Sequence, residues 1–156
     1  MNKIVSINEM VPILKEQIEI GGKVSFTPKG ISMLPLFRNN MDTVTLIKPK
    51  FPLKKYSIAF YQRENGQYVL HRVVKCEEQY YVMRGDNQYI NEKCIKEEQI
   101  IAVVSEFTRK GKHYKITDKS YRVYCVLWTN TIWFRKCYKK ARRLAGKIKR
   151  KLLGNK

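Results

Sequence analysis

The sequence has few acidic residues and no long apolar run. Its 156 residues include 13 Asp and Glu against 32 Lys and Arg, which gives a formal net charge of +19. No window of about 18 uncharged apolar residues occurs, so we expect no transmembrane helix. The N-terminal residues lack an apolar run followed by a small-residue cleavage site, so we also expect no signal peptide. These absences favour a protein that is cytoplasmic or peripheral at a membrane surface.

Metal ligands are equally scarce. The two histidines, His71 and His113, stand at no metal-ligand spacing, and no two cysteines form a C-x-x-C pair. The four cysteines are Cys76, Cys94, Cys125 and Cys137. Scattered thiols of this kind favour reduced side chains over a zinc site or a disulfide framework. We therefore expect neither a metal ion nor a cofactor.

The charge that is present is unevenly distributed. Residues 119–156 hold 13 Lys and Arg and no Asp or Glu, which leaves +6 (19 − 13) for residues 1–118. The hydrophobic fraction of 44% is that of a folded chain, and the length suits one domain with a modest core. The sequence therefore predicts a mildly basic folded body and a polycationic tail.

Patterning divides the chain into three parts. Residues 1–22 contain a helical spacing of apolar side chains over residues 7–20, which ends at a Gly-Gly pair. Residues 23–118 consist of short alternating segments punctuated by Gly and Pro. This pattern is typical of a mainly β domain, either barrel-like or built on a coiled sheet. Residues 119–156 form the third part.

The third part carries a helical apolar stripe. Its members recur at alternating steps of four and three residues: Leu127, Thr131, Phe134, Tyr138, Ala141, Ala145, Ile148 and Leu152. Basic residues fill most of the other faces from Arg135 onward, which predicts a basic amphipathic helix. We expect residues 119–153 to hold the protein on an anionic membrane surface. In the alternative interpretation, the first half packs on the sheet and only the basic end is solvated.

Ser32 is the first candidate for chemistry. It lies in the segment GISMLP, residues 30–35, where a hydroxyl stands among apolar side chains. It is either a buried turn residue or a nucleophile on an apolar platform. A serine nucleophile needs a base within hydrogen-bond reach.

His71 is the first candidate for that base. It lies in the segment YVLHRVV, on the face that alternation assigns to Val69 and Val73. An imidazole there is either a core histidine or a base directed at a substrate. Lys75 shares that face by parity and is the alternative base. His113 is flanked by lysines and is expected at the surface.

A third segment offers a carboxylate. Asp86 lies in the Gly-Asp-Asn run of residues 85–87, at the end of a predicted strand. The simplest interpretation is an Asx-turn, in which Asp86 caps its own backbone. The functional interpretation is that the turn brings this carboxylate to the imidazole of His71.

Together these segments resemble a known group of enzymes. The boxes Ser-Met-x-Pro, His-Arg-Val and Gly-Asp-Asn, at residues 32–35, 71–73 and 85–87, are similar in order and interval to those of the signal peptidase I and LexA-like serine peptidase superfamily. An Asp-x-Val segment at residues 42–44 matches as well. The histidine in the second box resembles the branch that uses a Ser-His pair. The N-terminal membrane anchor typical of signal peptidases is not expected here.

The resemblance implies a fold, an activity and a set of roles. The fold would be a compact LexA/signal-peptidase-like coiled β domain with a short N-terminal helix and a basic amphipathic C-terminal helix. The activity would be that of a serine endopeptidase that cleaves an extended leader or signal peptide with small residues near the scissile bond. Ser32 would be the nucleophile and His71 the base. Met33, Leu34 and Pro35 would line the substrate groove.

Two positions depart from the family pattern. Gly30 stands where many lysine-type enzymes carry a second serine, so the oxyanion would rest on backbone N–H groups, chiefly that of Ser32. Glu92 falls where the family has one member of an acidic pair after the Gly-Asp-Asn box. It therefore competes with Asp86 for the role of orienting His71.

Two other functions stay open. A catalytically inactive relative that acts as a docking module would keep the fold, although Ser32 and His71 are both present. A basic nucleic-acid-binding protein would use the cations and aromatic residues of the tail for phosphate contact and base stacking. Basic residues do not dominate the predicted sheet, so a peptide or protein substrate is the favoured partner and nucleic acid the less favoured one.

Overall fold

One antiparallel sheet forms the body of the protein. The computed structural model describes the backbone of residues 7–153 and the side chains of residues 9–143. The strands are β1 Val24–Phe26, β2 Thr43–Ile47, β3 Ile58–Gln62, β4 Tyr68–Cys76, β5 Tyr81–Arg84, β6 Glu92–Ile95, β7 Ile100–Arg109 and β8 Lys112–Lys115. They run in the order β1-β2-β7-β3-β4-β5-β6, and β8 pairs with β7. The expectation of a mainly β protein is confirmed.

Residues 7–153 contain three α-helices beside the sheet. They are α1 Ile7–Glu19, α2 Lys119–Asn130 and α3 Ile132–Leu153. The apolar spacing of α1 places Val11, Leu14 and Ile18 in the core, where each is no more than 2% exposed. None of the helices within residues 7–153 is long and apolar enough to cross a membrane.

The sheet contributes to two apolar clusters. Successive side chains of a strand point to opposite faces. Phe60 and Leu70 accordingly join the larger cluster, together with the helices, whereas Tyr61 and Val73 join the smaller one. His71 has the parity of Tyr61 and Val73, and its ring centroid lies 6.1 Å from that of Tyr61. The strand β4 therefore delivers the imidazole to the smaller cluster.

An irregularity in β4 separates Lys75 from the face of His71. The register with β5 shifts between Val73 and Lys75, and such a bulge interrupts the alternation of the strand. The Lys75 side chain is 68% exposed, and its ammonium lies 2.6 Å from the carboxylate of Glu77. The parity prediction for Lys75 is wrong, because the bulge breaks the period of two on which it depended.

The C-terminal part forms two helices where one was predicted. Thr131 stands between them, and its hydroxyl donates to the Leu127 carbonyl at 2.6 Å. Hydrogen bonds of this kind from Thr to the preceding turn bend helices. α2 buries Tyr121, Cys125 and Thr129, which are spaced one per turn.

The predicted stripe is not the buried face. Leu127, Phe134 and Tyr138 are 60%, 68% and 69% exposed. The last three members of the stripe, Ala145, Ile148 and Leu152, lie outside the residues whose side chains are described. α2 thus packs on the body through a different face, and the described part of the apolar stripe faces solvent.

Candidate active site

Ser32 lies in a short turn between β1 and β2. The turn, residues 30–37, is closed by the amide of Phe37, which donates to the Met33 carbonyl at 3.0 Å. Gly30 has φ of +119°, a conformation that favours glycine and would strain a serine. Among the described residues, neither the hydroxyl nor the amide of Ser32 makes a hydrogen bond. Both groups are therefore free to meet a substrate.

The Gly-Asp-Asn box supports this turn. The Asn87 amide donates to the Ser32 carbonyl at 2.8 Å, and the Asn87 side chain donates to the Ile31 carbonyl at 3.1 Å. Gly85 approaches so closely that an added Cβ would lie 2.6 Å from the Ser32 carbonyl oxygen. The box thus fixes the backbone of Ser32 and requires glycine at its first position.

Asp42 anchors the other end of the same loop. Its buried carboxylate accepts from the Arg38 amide at 2.8 Å and from the Arg38 guanidinium at 2.6 Å. Burial raises the pKa of Asp42, but the hydrogen bonds from Arg38 outweigh it, and the pKa lies below its ordinary value. Arg109 adds a bond to the Pro35 carbonyl at 3.0 Å. The Ser32 loop is therefore tied down on both sides.

A small, largely apolar cavity opens beside Ser32. It has a volume of about 150 Å³, and its walls include Met33, Val69 and Leu70. Val69 and Leu70 directly precede His71 in β4, so the cavity that Ser32 lines is bounded by the residues next to His71 in that strand. No hydrogen bond joins the two side chains in the described structure.

The three residues predicted to line the substrate groove are divided between two cavities. Met33 lines the small cavity with Ser32. Leu34 and Pro35 line a separate cleft of about 670 Å³, which is completed by side chains of α2 and α3. The division arises because residues 32–36 form a turn, and a turn directs successive side chains to different sides.

His71 is buried and faces Glu92. The imidazole is 1% exposed, and its Nδ1 lies 3.0 Å from Oε1 of Glu92 and 3.2 Å from the hydroxyl of Tyr61. The Tyr61 hydroxyl in turn donates to Oε2 of Glu92 at 2.7 Å. Glu92 is the first residue of β6, a strand that the sequence pattern did not reveal.

Arg63 completes the surroundings of Glu92. Its Nε donates to Oε2 of Glu92 at 2.8 Å, and its Nη2 donates to Oε1. Burial raises the pKa of Glu92, but the hydrogen bonds from Arg63 and Tyr61 outweigh it, so the pKa lies below its ordinary value. An ionised carboxylate only accepts hydrogen bonds, so the Nδ1 of His71 carries the proton.

Burial favours the neutral form of the His71 imidazole. Burial lowers its pKa below the ordinary value, although the negative charge of Glu92 acts in the opposite direction. With the proton on Nδ1, the lone pair lies on Nε2, which makes no hydrogen bond among the described residues. A neutral imidazole with a free Nε2 is the form that accepts a proton from a hydroxyl.

Asp86 contacts Arg72 rather than His71. Arg72 and Asp86 are 1% and 4% exposed, and the guanidinium donates two hydrogen bonds of 2.7 Å to the carboxylate. Burial lowers the pKa of Arg72, but the charge of Asp86 outweighs it and the pKa is raised. Of the two carboxylates considered for orienting the imidazole, Glu92 makes the contact and Asp86 forms a separate buried ion pair.

α2 and α3 reach the Gly-Asp-Asn box directly. The indole of Trp128 donates to the Asp86 carbonyl at 2.9 Å, and Nη1 of Arg135 donates to the same oxygen at 2.9 Å. The guanidinium of Arg135 stacks 3.9 Å from the ring centroid of Trp128. Tyr121 adds a hydroxyl contact to Arg72 at 3.0 Å. The C-terminal helices therefore help to hold the turn that supports Ser32.

Sequence reasoning missed four of these residues as parts of a site: Tyr61, Arg63, Trp128 and Arg135. A signal for the first two exists, because alternation in the segment YSIAFYQR places residues 61 and 63 on one face. That signal becomes useful only once β3 is known to pair with β4, which bears His71. No local pattern connects the two helical residues with Asp86.

His113 lies apart from this site. Its Nε2 is 3.3 Å from the carboxylate of Glu106, and its side chain is 55% exposed. It occupies the surface position that its lysine-rich surroundings predict.

Comparison of the chain with protein-family models, with curated proteins and with solved structures found no match. No family membership is therefore assigned.

Proposed function

We propose that the protein is a serine endopeptidase of signal-peptidase type, with Ser32 as nucleophile and His71 as base. The observation that carries the proposal is the buried His71, whose Nδ1 lies 3.0 Å from Glu92 and whose strand neighbours line the Ser32 cavity. The three sequence boxes support it, because they resemble those of this superfamily. A compact coiled β domain of the LexA/signal-peptidase type is part of the same proposal.

The proposed reaction uses one proton shuttle. Nε2 of His71 accepts the proton of the Ser32 hydroxyl as Oγ attacks the scissile carbonyl carbon. The Ser32 amide donates to the oxyanion. His71 then passes the proton to the leaving amine, the C–N bond breaks, and an acyl ester remains on Ser32. Water, deprotonated by the same imidazole, hydrolyses the ester and restores the Ser32 hydroxyl.

Glu92 and the small cavity have separate roles in this proposal. Glu92 holds the productive tautomer of His71 and stabilises the imidazolium that forms in each step. The cavity of about 150 Å³ beside Ser32 accommodates a small apolar side chain such as that of alanine. An extended substrate with alanine next to the scissile bond is therefore the appropriate test peptide.

We expect cleavage of such a peptide to increase with pH through a pKa below 6.5. The reason is that protonated His71 cannot accept the hydroxyl proton, and burial lowers the pKa of its imidazole. Glu92→Gln removes the charge that opposes this lowering, so the increase should move to still lower pH. The same change should reduce kcat by roughly 10²- to 10⁴-fold, because the tautomer is no longer held. The measurement is a pH–rate profile of kcat/KM.

Lys75→Met provides the matched control for this profile. Lys75 lies in the same strand as His71, but its side chain is 68% exposed. Its removal should leave the profile unchanged. A profile that moved with Lys75→Met and stayed in place with Glu92→Gln would contradict the assignment of His71 as base.

We further propose that the protein works at an anionic membrane surface through α2 and α3. Val123, Leu127, Trp133 and Phe134 are 58% to 68% exposed around the joint of the two helices. Aromatic and aliphatic side chains in this setting partition into the headgroup region. Residues 119–156 contain 13 Lys and Arg and no Asp or Glu, and each cation contributes about 1 kcal/mol near anionic lipid. Exposed Val and Leu favour lipid over nucleic acid, which offers them no apolar partner.

Sedimentation with vesicles tests this surface. Binding to vesicles of phosphatidylserine and phosphatidylcholine is expected, and it should weaken with salt. The double change Trp133→Ser and Phe134→Ser should weaken binding by roughly 10- to 100-fold, since burial of such side chains contributes about 1.5–3 kcal/mol each at most.

Two exposed apolar residues of α1 provide the control for the vesicle experiment. Ile13 and Ile20 are 63% and 74% exposed, and their replacement by serine should leave vesicle binding unchanged. Equal weakening by both pairs of changes would contradict a surface centred on α2 and α3. Tight binding to DNA without binding to vesicles would favour the nucleic-acid function instead.

A further inference from the structure

The cleft between the Ser32 loop and α3 has no role in the reaction described above. It has a volume of about 670 Å³ and is lined on one side by Leu34 and Pro35, and on the other by Phe134, Tyr138 and basic residues of α3. It shares no lining residue with the small cavity beside Ser32. Leu34 is nevertheless only two residues from Ser32, so an extended peptide bound at Ser32 reaches the cleft within a few residues.

The charge of the cleft has one sign. Among the residues whose side chains are described, its lining includes Arg135, Lys139 and Arg142, and no Asp or Glu. None of the three forms an ion pair with a carboxylate among the described residues. Lys139 instead lies 4.9 Å from the ring centroid of Tyr89, which also lines the cleft. The cleft thus offers a positive field with uncompensated charges beside aromatic walls.

Arg135 is partly buried and has no carboxylate in ion-pair contact among the described residues. Its guanidinium donates to two main-chain carbonyls, those of Asp86 at 2.9 Å and Trp128 at 2.7 Å. Its Nε is buried and has no hydrogen-bond partner within the described part of the chain. Burial also lowers the pKa of this guanidinium. A partly buried cation without a counter-ion is stabilised when a carboxylate enters beside it.

We propose that this cleft binds a segment of the peptide substrate that carries an acidic side chain next to an apolar or aromatic one. The proposal rests on the proposed peptidase function and defines its substrate class. The carboxylate meets Lys139 and Arg142 at the rim, and the apolar side chain packs against Leu34, Pro35 and Tyr138. Alanine beside the scissile bond and an acidic-apolar pair a few residues away would together specify the substrate.

Peptide binding to the Ser32→Ala variant tests the proposal independently of catalysis. Two peptides share alanine at the scissile position and phenylalanine in the flanking segments, and they differ in carrying Glu or Lys next to each phenylalanine. Trp128 lines the cleft, so tryptophan fluorescence reports binding. The Glu peptide should bind roughly tenfold more tightly than the Lys peptide. Its glutamates can form two partly exposed ion pairs with Lys139 and Arg142, whereas the lysines of the other peptide are repelled by these cations.

Charge reversal on α3 provides the decisive comparison. Lys139→Glu with Arg142→Glu should abolish or invert the preference for the Glu peptide. Lys140→Glu with Arg143→Glu makes the same charge change at exposed residues that do not line the cleft, and should keep most of the preference. Equal preference in both variants would show a long-range effect of net charge and overturn the proposal.

Three further outcomes separate the proposal from others. If the Ser32→Ala variant with α3 unchanged bound the Glu and Lys peptides equally, the proposal of an acidic substrate segment would be overturned. This would hold even if the wild-type protein cleaved both peptides in a Ser32-dependent reaction and were thereby shown to be a peptidase. If reversal of Lys139 and Arg142 weakened vesicle binding and left peptide preference unchanged, the cleft would belong to the lipid surface and the proposal would be wrong. Charge-selective binding without any Ser32-dependent cleavage would support the cleft and contradict the peptidase.

Discussion

Ser32→Ala and His71→Ala are each expected to abolish cleavage of an alanine-containing leader peptide, with a loss in kcat of about 10⁴-fold or more. Ser32→Ala removes the oxygen that forms the acyl ester. His71→Ala removes the acceptor of its proton. Because both groups act in the same step, the double variant should lose little more than either single variant. Steady-state cleavage and detection of the acyl ester by mass spectrometry provide the measurements.

His113→Ala is the matched control for the dyad. This histidine is 55% exposed and pairs with Glu106 away from the site, so its removal should leave the rate unchanged. Circular dichroism and thermal unfolding establish that each variant is folded. A folded His71→Ala variant that cleaved at the wild-type rate would contradict the dyad. Folded wild-type protein that bound peptide without cleaving it would favour the docking-module function.

Loss of the Arg72–Asp86 ion pair is expected to cause the largest loss of stability. Asp86→Ala leaves the guanidinium of Arg72, which is 1% exposed, without its counter-charge. Removal of one partner from such a pair costs about 3–5 kcal/mol in the free energy of unfolding. For a chain of this length, that loss lowers Tm by roughly 10 °C. Urea unfolding and calorimetry measure both quantities.

Glu92→Gln separates stability from activity. The Glu92 side chain is 21% exposed, and glutamine keeps its size, so the free energy of unfolding should decrease much less than in Asp86→Ala. The activity should fall, as argued for the tautomer of His71. The prediction fails if Asp86→Ala leaves Tm unchanged. A shift of the pH–rate profile in such a stable variant would instead indicate that Asp86 acts on His71. Replacement of both Arg72 and Asp86 by apolar residues should restore part of the stability, because no unpaired charge is then buried.

The sequence by itself determined the features that depend on local pattern. Alternation in residues 23–118 predicted a mainly β body, and the spacing in residues 7–20 predicted α1. The parity of YVLHRVV correctly placed His71 on the face of Val73, because nothing interrupts the period of two between them. Each of these inferences needed only neighbours a few residues apart.

Only the tertiary structure decided which groups meet. Glu92 reaches His71 through β6, a short edge strand whose pattern of Glu, Lys, Cys and Ile gives no alternating signal. Asp86 lies closer to His71 in sequence, yet a buried Arg72 captures it with two hydrogen bonds. Sequence separation does not rank such contacts, because strand pairing decides which side chains share a face.

The C-terminal helices show the same limit. The stripe in residues 119–153 was visible in the sequence, but a stripe does not say whether it is buried or exposed. The structure buries another face of α2, since Tyr121 and Cys125 meet Arg72 there, and it leaves Leu127 in solvent. The cleft of about 670 Å³ likewise depends on the tertiary structure, because its walls combine Leu34 and Pro35 with residues of α2 and α3. These features depend on packing between residues that are distant in sequence. Local periodicity shows that a helix has an apolar face, but it does not determine which face the rest of the protein buries.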